Sequence, residues 1–379
     1  MTIPEFEELL NRYLQGQCSE AEIAMLRYWY YTYEMKDLPE LTEEQISQVT
    51  AMQPPVLPAA MPVVKVRRLR WAWAAAACLL LLTGTALLLL LPHLKHPQME
   101  QATLQIVPGG NKARLTLANG KTIVLDSAGT GALARQGNIS IIKASNGLLQ
   151  YQVTGAASAG DDNIINTIST PAGGQYQLVL ADGTRVWLNA SSAISFPAAF
   201  KTGIREVALK GEAYFEVAHD AARPFIITSG GQQTEILGTH FNINDYQDNG
   251  HIITTLLEGK IRISQKQQHV TLTPGQQAIV QDGQDIVVKE NVNTAMAVAW
   301  KNGLFKFNNT RLKEVMLQLG RWYDVDVRYE GQITERRFSG EITRNASIAE
   351  VLDMLKLLKI NFTITNNGAR KVITVTPDT

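Results

Sequence analysis

The sequence predicts a multidomain, single-pass membrane protein: a small all-α segment, one transmembrane helix, an all-β body (solenoid or sandwich) and a C-terminal α/β (βαβ-βαβ) domain. Three observations predict this fold class. Trp71 to Leu91, WAWAAAACLLLLTGTALLLLL, has no charged side chain and reaches roughly 31 Å at about 1.5 Å per residue, enough for a hydrocarbon core of about 30 Å. Before this run apolar residues recur at helical spacing, and after it apolar and polar residues alternate. Near Trp300 helical spacing returns between short strand patterns. The expected organisation is a helical segment 1–53, a linker 54–70, a span 71–91, a β-rich region 100–290 with its core at 171–265, and an α/β domain 299–377.

In the first segment Ile3, Phe6, Leu9, Leu10, Tyr13 and Leu14 share a helical face, and Ser19 with Glu22 makes a capping box ahead of Ile23, Leu26 and Tyr30. A third helix is expected from Thr42, with Gln45 completing its box. Tyr28, Trp29, Tyr30, Tyr31 and Tyr33 crowd one short stretch, too many rings for one narrow seam. A unit of about 50 residues buries too little to hold itself firmly, so the face with Leu10, Leu14, Leu26, Trp29 and Tyr30 is expected to meet a partner. A self-contained three-helix bundle is the alternative. Residues 1–64 hold three basic side chains against ten acidic ones, a tail that repels nucleic acid. Four prolines between Pro54 and Pro62 then stiffen the linker.

Lys65, Arg67, Arg68 and Arg70 precede the apolar run, whereas Lys95 alone follows it closely. The positive-inside rule therefore puts residues 1–70 in the cytoplasm and 92–379 outside it. Thr83-Gly84-Thr85 interrupts the run near mid-bilayer, where Gly weakens a helix by roughly 1 kcal/mol relative to Ala. Local unwinding there would suit an intramembrane protease, and a small-residue packing spot for another helix fits equally. The chain as a whole is neutral, with 35 basic and 35 acidic residues, which gives no global attraction to nucleic acid. Cys18 and Cys78 both precede the exported part, so that part has no disulfide framework and no cysteine metal site.

Outside the membrane, ARLTLANGKTIVL (113–125) alternates on either side of Asn119-Gly120, a strong hairpin signal. The pattern returns as YQLVLADGTRVWL (176–188), which makes a duplicated unit. Further turns are expected at Asn146-Gly147, Gly230-Gly231 and Asp282-Gly283. In the last domain LFKF reads as a strand, Thr310 to Tyr323 as a helix with Leu312, Val315, Met316 and Leu319 on one face, and VDVRY as a strand. RRFSGEI, a helix from Ser347 with Glu350 as its capping partner, NFTITN and KVITVTP then repeat the order.

Catalytic chemistry is sparse. None of the six histidines sits in an HExxH pattern or at metal-ligand spacing from another, and neither GxSxG nor GxxxxGK[ST] occurs. Ser140 and Lys143 match a serine-lysine spacing, but residues three apart on a strand point to opposite faces. His219 and Asp220 lie beside Glu212 and Glu216 in a segment with strand alternation, which reads as a polar strand face. No cofactor is implied, and the chain reads as a non-enzyme.

LADGTRVWLNASSAISFP (180–197), LKGEAYFEVAHDAARPFII (209–227), EILGTHFNI (235–243) and TTLLEGKIRIS (254–264) resemble the successive signatures of the FecR family, transmembrane anti-sigma regulators of cell-surface signalling. Ala299-Trp300 through FNNTRLKEVMLQLGRWYDVDV is similar to the C-terminal domain of Bacteroidota members, related to the short N-terminal domain of secretins and TonB-dependent receptors. Residues 102–165 depart from these signatures.

The resemblance implies a bacterial inner-membrane anti-sigma factor. Its cytoplasmic segment would hold an ECF-type sigma factor and its periplasmic part would read the signalling domain of a TonB-dependent outer-membrane transporter. Proteases of regulated intramembrane proteolysis would act near Thr83, Gly84 and Thr85. The alternative is a membrane-tethered envelope binding or assembly protein with no cytoplasmic partner. Some members of the family cleave themselves at a Gly-Thr bond, and the matching bond is Gly238-Thr239. The Thr239 hydroxyl would attack the Gly238 carbonyl, with a strained turn to align it. A glycine bulge beside an ordinary strand threonine is the bland alternative.

Overall fold

Period-two alternation builds two facing sheets in the computed structural model, which describes Arg12, Ser19 and residues 106–154, 164–200, 203–331, 335–368 and 370–377. In spatial order the first sheet comprises Gln268–Leu272, Ile261–Gln265, Gln232–Ile236, Phe225–Ser229, the first half of Arg205–Glu216, Ala193–Pro197, Ile165–Ser169, Arg114–Thr116 and Thr122–Val124. The second comprises Gly131–Gln136, Ile139–Lys143, Leu149–Val153, Gly174–Val179, Arg185–Leu188, the second half of Arg205–Glu216, His240–Asp245, Ile252–Glu258, Gln277–Val280 and Val287–Lys289. The chain passes back and forth between the layers and buries one continuous core, from Leu115 and Ile141 through Phe215 and Phe241 to Leu272 and Val280. Residues 110–153, which the family signatures leave unexplained, supply strands to both layers.

The strand Arg205–Glu216 belongs to both sheets. Its residues 205–208 pair with Phe225–Ser229, and residues 211–216 pair with His240–Asp245. The switch falls at Gly211, whose φ of +85° and close approach to Ser192 Oγ leave no room for a Cβ.

After the short helix α1 (Thr294–Ala297), capped by the Asn293 side chain, the chain enters the second core. Leu304–Arg311 pairs with Arg337–Thr343 in one small sheet, and Val325–Tyr329, Lys371–Pro377 and Ile360–Asn366 form another in that order. Helices α2 (Leu312–Tyr323) and α3 (Ile348–Lys356) cover them. α2 buries Leu312, Val315, Met316 and Leu319, and α3 opens on a complete Ser347–Glu350 capping box. Ile106 and Ala190 of the β body are packed into this second core.

The predicted fold class needs correction. Among the described residues the structure is mostly β, with 50% in strands and 11% in helix, and no helix is long and apolar enough to cross a membrane. The all-α segment and the transmembrane helix are therefore no part of the observed architecture; the stretches read as helical, 1–53 and 71–91, lie outside the described residues apart from Arg12 and Ser19. The C-terminal strands also do not form one βαβ-βαβ sheet. Arg337–Thr343 returns antiparallel to the first strand of the unit instead of joining Val325–Tyr329, which splits them into a pair and a triplet.

Candidate functional site

Two buried polar places stand out, one where the β body meets the C-terminal unit and one at a bend between the two sheets. At the first, Arg344 follows the strand Arg337–Thr343 and is 3% exposed. Its Nη2 donates to Asn189 Oδ1 at 2.9 Å, and its Nη1 to Trp300 O at 3.0 Å and Gln175 Oε1 at 3.2 Å. The guanidinium lies 3.6 Å over the Trp322 ring. Burial holds its pKa down to about 10, so it stays charged at neutral pH.

Asn189 stands between this cation and a buried acid. Its Nδ2 donates to Glu212 Oε2 at 2.7 Å, and Asn242 Nδ2 donates to Glu212 Oε1 at 3.0 Å. Burial raises the Glu212 pKa, while these amides and the Arg344 charge oppose the rise. Trp300 Nε1 donates to Asn242 Oδ1 at 3.1 Å, and the Tyr246 hydroxyl to Ala190 O at 2.5 Å. Gly173 N donates to Arg321 O at 2.7 Å, and the Arg321 guanidinium stacks 3.7 Å over Tyr246 while pairing with Asp248.

The lead-in residues thread this seam. Gly110 pairs in parallel with Gly174, and a methyl at Gly109 would lie 2.6 Å from Trp322 Cε3. Arg344 and Asn189 were not singled out from the sequence, and Glu212, read there as part of a polar strand face, is instead buried.

At the second place, Leu237, Gly238 and Thr239 carry the chain from Gln232–Ile236 in one sheet to His240–Asp245 in the other. Thr239 is 4% exposed, and its Oγ1 is buried with no hydrogen-bond partner among the described residues. A methyl at Gly238 would lie 2.7 Å from His219 Nδ1, and one at Gly259 would lie 2.8 Å from Gly238 O and collide with Thr239 Cγ2. The peptide is thus held between an imidazole and a glycine backbone. His219 is not on a strand, contrary to expectation, since the strand ends at Glu216 and a loop follows. Val217 N donates to Thr239 O at 3.0 Å and Asp220 N to Leu237 O at 3.1 Å, so this loop brackets the bend. His240 faces elsewhere, with Nδ1 2.9 Å from Glu258 Oε2.

The other expected site residues, Leu10, Leu14, Leu26, Trp29, Tyr30, Trp71, Leu91, Thr83, Gly84 and Thr85, lie outside the described residues. Ser140 and Lys143 do not form a pair: Lys143 Nζ donates to Leu125 O at 2.6 Å and Ala128 O at 2.7 Å, closing a turn. Among the described residues no three or more His, Cys, Asp or Glu are grouped to hold a metal ion.

Comparison with known proteins adds to this geometry. A family profile described as FecR protein matches residues 166–262, and one described as FecR, C-terminal matches residues 304–373. A 1.65 Å crystal structure of a candidate anti-sigma factor from Parabacteroides distasonis ATCC 8503 is 28% identical, covers 55% of this chain and 97% of its own, and superposes with a TM-score of 0.50. A 2.50 Å crystal structure bearing the same description is 27% identical, covers 55% and 98%, and has the same TM-score. A search of curated proteins gave no match.

Proposed function

Because the chain belongs to the FecR family and carries both the FecR domain and the FecR C-terminal domain, we propose that it is an anti-sigma factor that restrains an ECF-type sigma factor. The observation that carries this reading is the order of the two matched domains, together with the likeness to an anti-sigma candidate over 55% of the chain. The sequence supports the finer assignment. The acidic, aromatic-rich residues 1–53 suit the basic DNA-binding surfaces of a sigma factor, and the cluster Lys65, Arg67, Arg68 and Arg70 supports a cytoplasmic side for them, with the described body on the periplasmic side of the inner membrane.

The upstream signal in this reading comes from the signalling domain of a TonB-dependent outer-membrane transporter, which docks on the C-terminal unit. Ile360–Asn366 lies at the edge of its sheet, and INFTITN has no charged side chain to guard it against a partner strand. Co-expression of the full chain with a neighbouring sigma factor tests the proposal. Transcription from that factor's promoter should fall, and removal of residues 1–53 should restore it. Repression that survives the removal would overturn the assignment of residues 1–53.

A second reading concerns the bend. We propose that the Gly238–Thr239 bond is a self-cleavage site, supported by the buried, unpartnered Thr239 hydroxyl one residue from the carbonyl it would attack. Mass spectrometry of the full chain should find two fragments that meet at this bond and an intact chain for Thr239→Ala.

A further inference from the structure

The loop that follows Glu216 is fixed with unusual firmness for a surface connection. Arg205, whose side chain is fully buried, sends Nη1 to Asp182 Oδ2 at 2.8 Å and to Ala218 O at 2.9 Å, and Nε to Arg223 O at 2.9 Å. Thr184 Oγ1 accepts from Ala218 N at 3.2 Å and donates to Asp182 at 2.8 Å. Farther along, Arg223 pairs with Asp220 at 2.8 Å. A buried ion pair is a poor way to gain stability, because desolvating both charges offsets their attraction. What it does here is hold a short loop at both ends. Between those ends His219 packs against Gly238, its Nδ1 2.7 Å from where a Cβ on that glycine would lie. His219 itself is exposed.

We propose that His219 is the catalytic base of the Gly238–Thr239 reaction and that Arg205 and Asp182 position it. The inference rests on the self-cleavage reading above. As Thr239 Oγ bonds to the Gly238 carbonyl carbon, its proton passes to His219. The carbon–nitrogen bond then breaks, and the imidazolium returns that proton to the Thr239 amine. Amide has become ester with no net change in protons. Water hydrolyses the ester, leaving a Gly238 carboxylate and a free Thr239 hydroxyl. Gly259 makes room for the crowded intermediate, since a side chain there would meet both Gly238 O and Thr239 Cγ2.

The experiment follows the purified full chain over time by mass spectrometry in denaturant, because strand pairing of Gln232–Ile236 with Ile261–Gln265 and of residues 211–216 with His240–Asp245 would keep cut halves together. Wild type should fragment at 238/239. His219→Ala and the near-isosteric His219→Gln should slow this by on the order of 100-fold or more, the range for a positioned base. Free imidazole should partly restore His219→Ala and leave Thr239→Ala intact. Arg205→Met should slow cleavage without responding to imidazole. If wild type cleaves and His219→Ala cleaves equally fast, or if imidazole restores nothing, His219 is not the base while the self-cleavage reading stands. A wild-type chain that never fragments would overturn both.

Discussion

The seam around Arg344 and the bend at Thr239 are both buried and polar, and they differ in how far their hydrogen bonds are completed. At the seam Arg344, Asn189, Glu212, Asn242 and Trp300 form one chain of donors and acceptors, with only Arg344 Nε left over. At the bend the hydroxyl of Thr239 has no hydrogen-bond partner among the described residues. A completed network in a low-dielectric setting fixes a unique geometry, whereas a buried group without a partner costs stability and keeps its reactivity. The contrast separates a place built to hold two units in register from a place where a nucleophile is left free.

That contrast can be broken most severely at Arg344. Arg344→Ala strands Glu212 without its compensating charge and opens a gap under Trp322, so denaturant unfolding should show a loss of about 3–5 kcal/mol. A loss under 1 kcal/mol would mean the network is ornamental. Gly109→Ala attacks the same seam through sterics alone, driving a methyl into the Trp322 ring, and should cost about 1–3 kcal/mol. Hydrogen exchange should then accelerate at residues 106–112 before it does in the sheets.

A pH titration sharpens the comparison at a third buried group, next to the seam. Burial raises the Asp245 pKa from an ordinary carboxylate value to about 6. The folded state therefore binds the proton more tightly than the unfolded one. Its stabilising contribution is full below about pH 4 and is lost as pH rises through 6, up to roughly 2 kcal/mol for a shift of this size. Asp245→Asn should flatten that part of the stability profile, and an unchanged profile would assign the dependence to another group. The smallest effect is expected at the bend. Thr239→Val removes a hydroxyl that bonds to nothing and keeps its shape, so stability should stay within about 1 kcal/mol of wild type. A larger loss would reveal a partner for that hydroxyl.

How much of this was legible depends on sequence distance. The hairpins at Asn119-Gly120 and Asp182-Gly183, the buried face of α2 and the Ser347–Glu350 box are local, and each is present in the structure. Glu212 was not legible as a core acid, because strand phase along Arg205–Leu209 buries odd positions only. The kink at Gly211 and the covering C-terminal unit bury both faces from Gly211 to Phe215, with Tyr214 packed on Val298 and Trp300. Nor could any spacing rule join Arg344 to Asn189, 155 residues earlier. His219 was misread as a strand residue, since GEAYFEVAHD alternates past the point where pairing ends.

The threaded lead-in has a consequence for how the chain is made. Ile106 and Gly109 finish their packing against Trp322 and the surrounding second core, built mostly from residues emerging near the end of synthesis. The sheets, and the pairing of Gly110 with Gly174, can therefore form while translation continues, but the lead-in at Ile106 and Gly109 cannot be covered until the final domain has left the ribosome. Covering it joins residues far apart in sequence, a contact with a large loop-closure entropy to overcome. A chain that lacks the C-terminal unit thus leaves Ile106 and Gly109 uncovered.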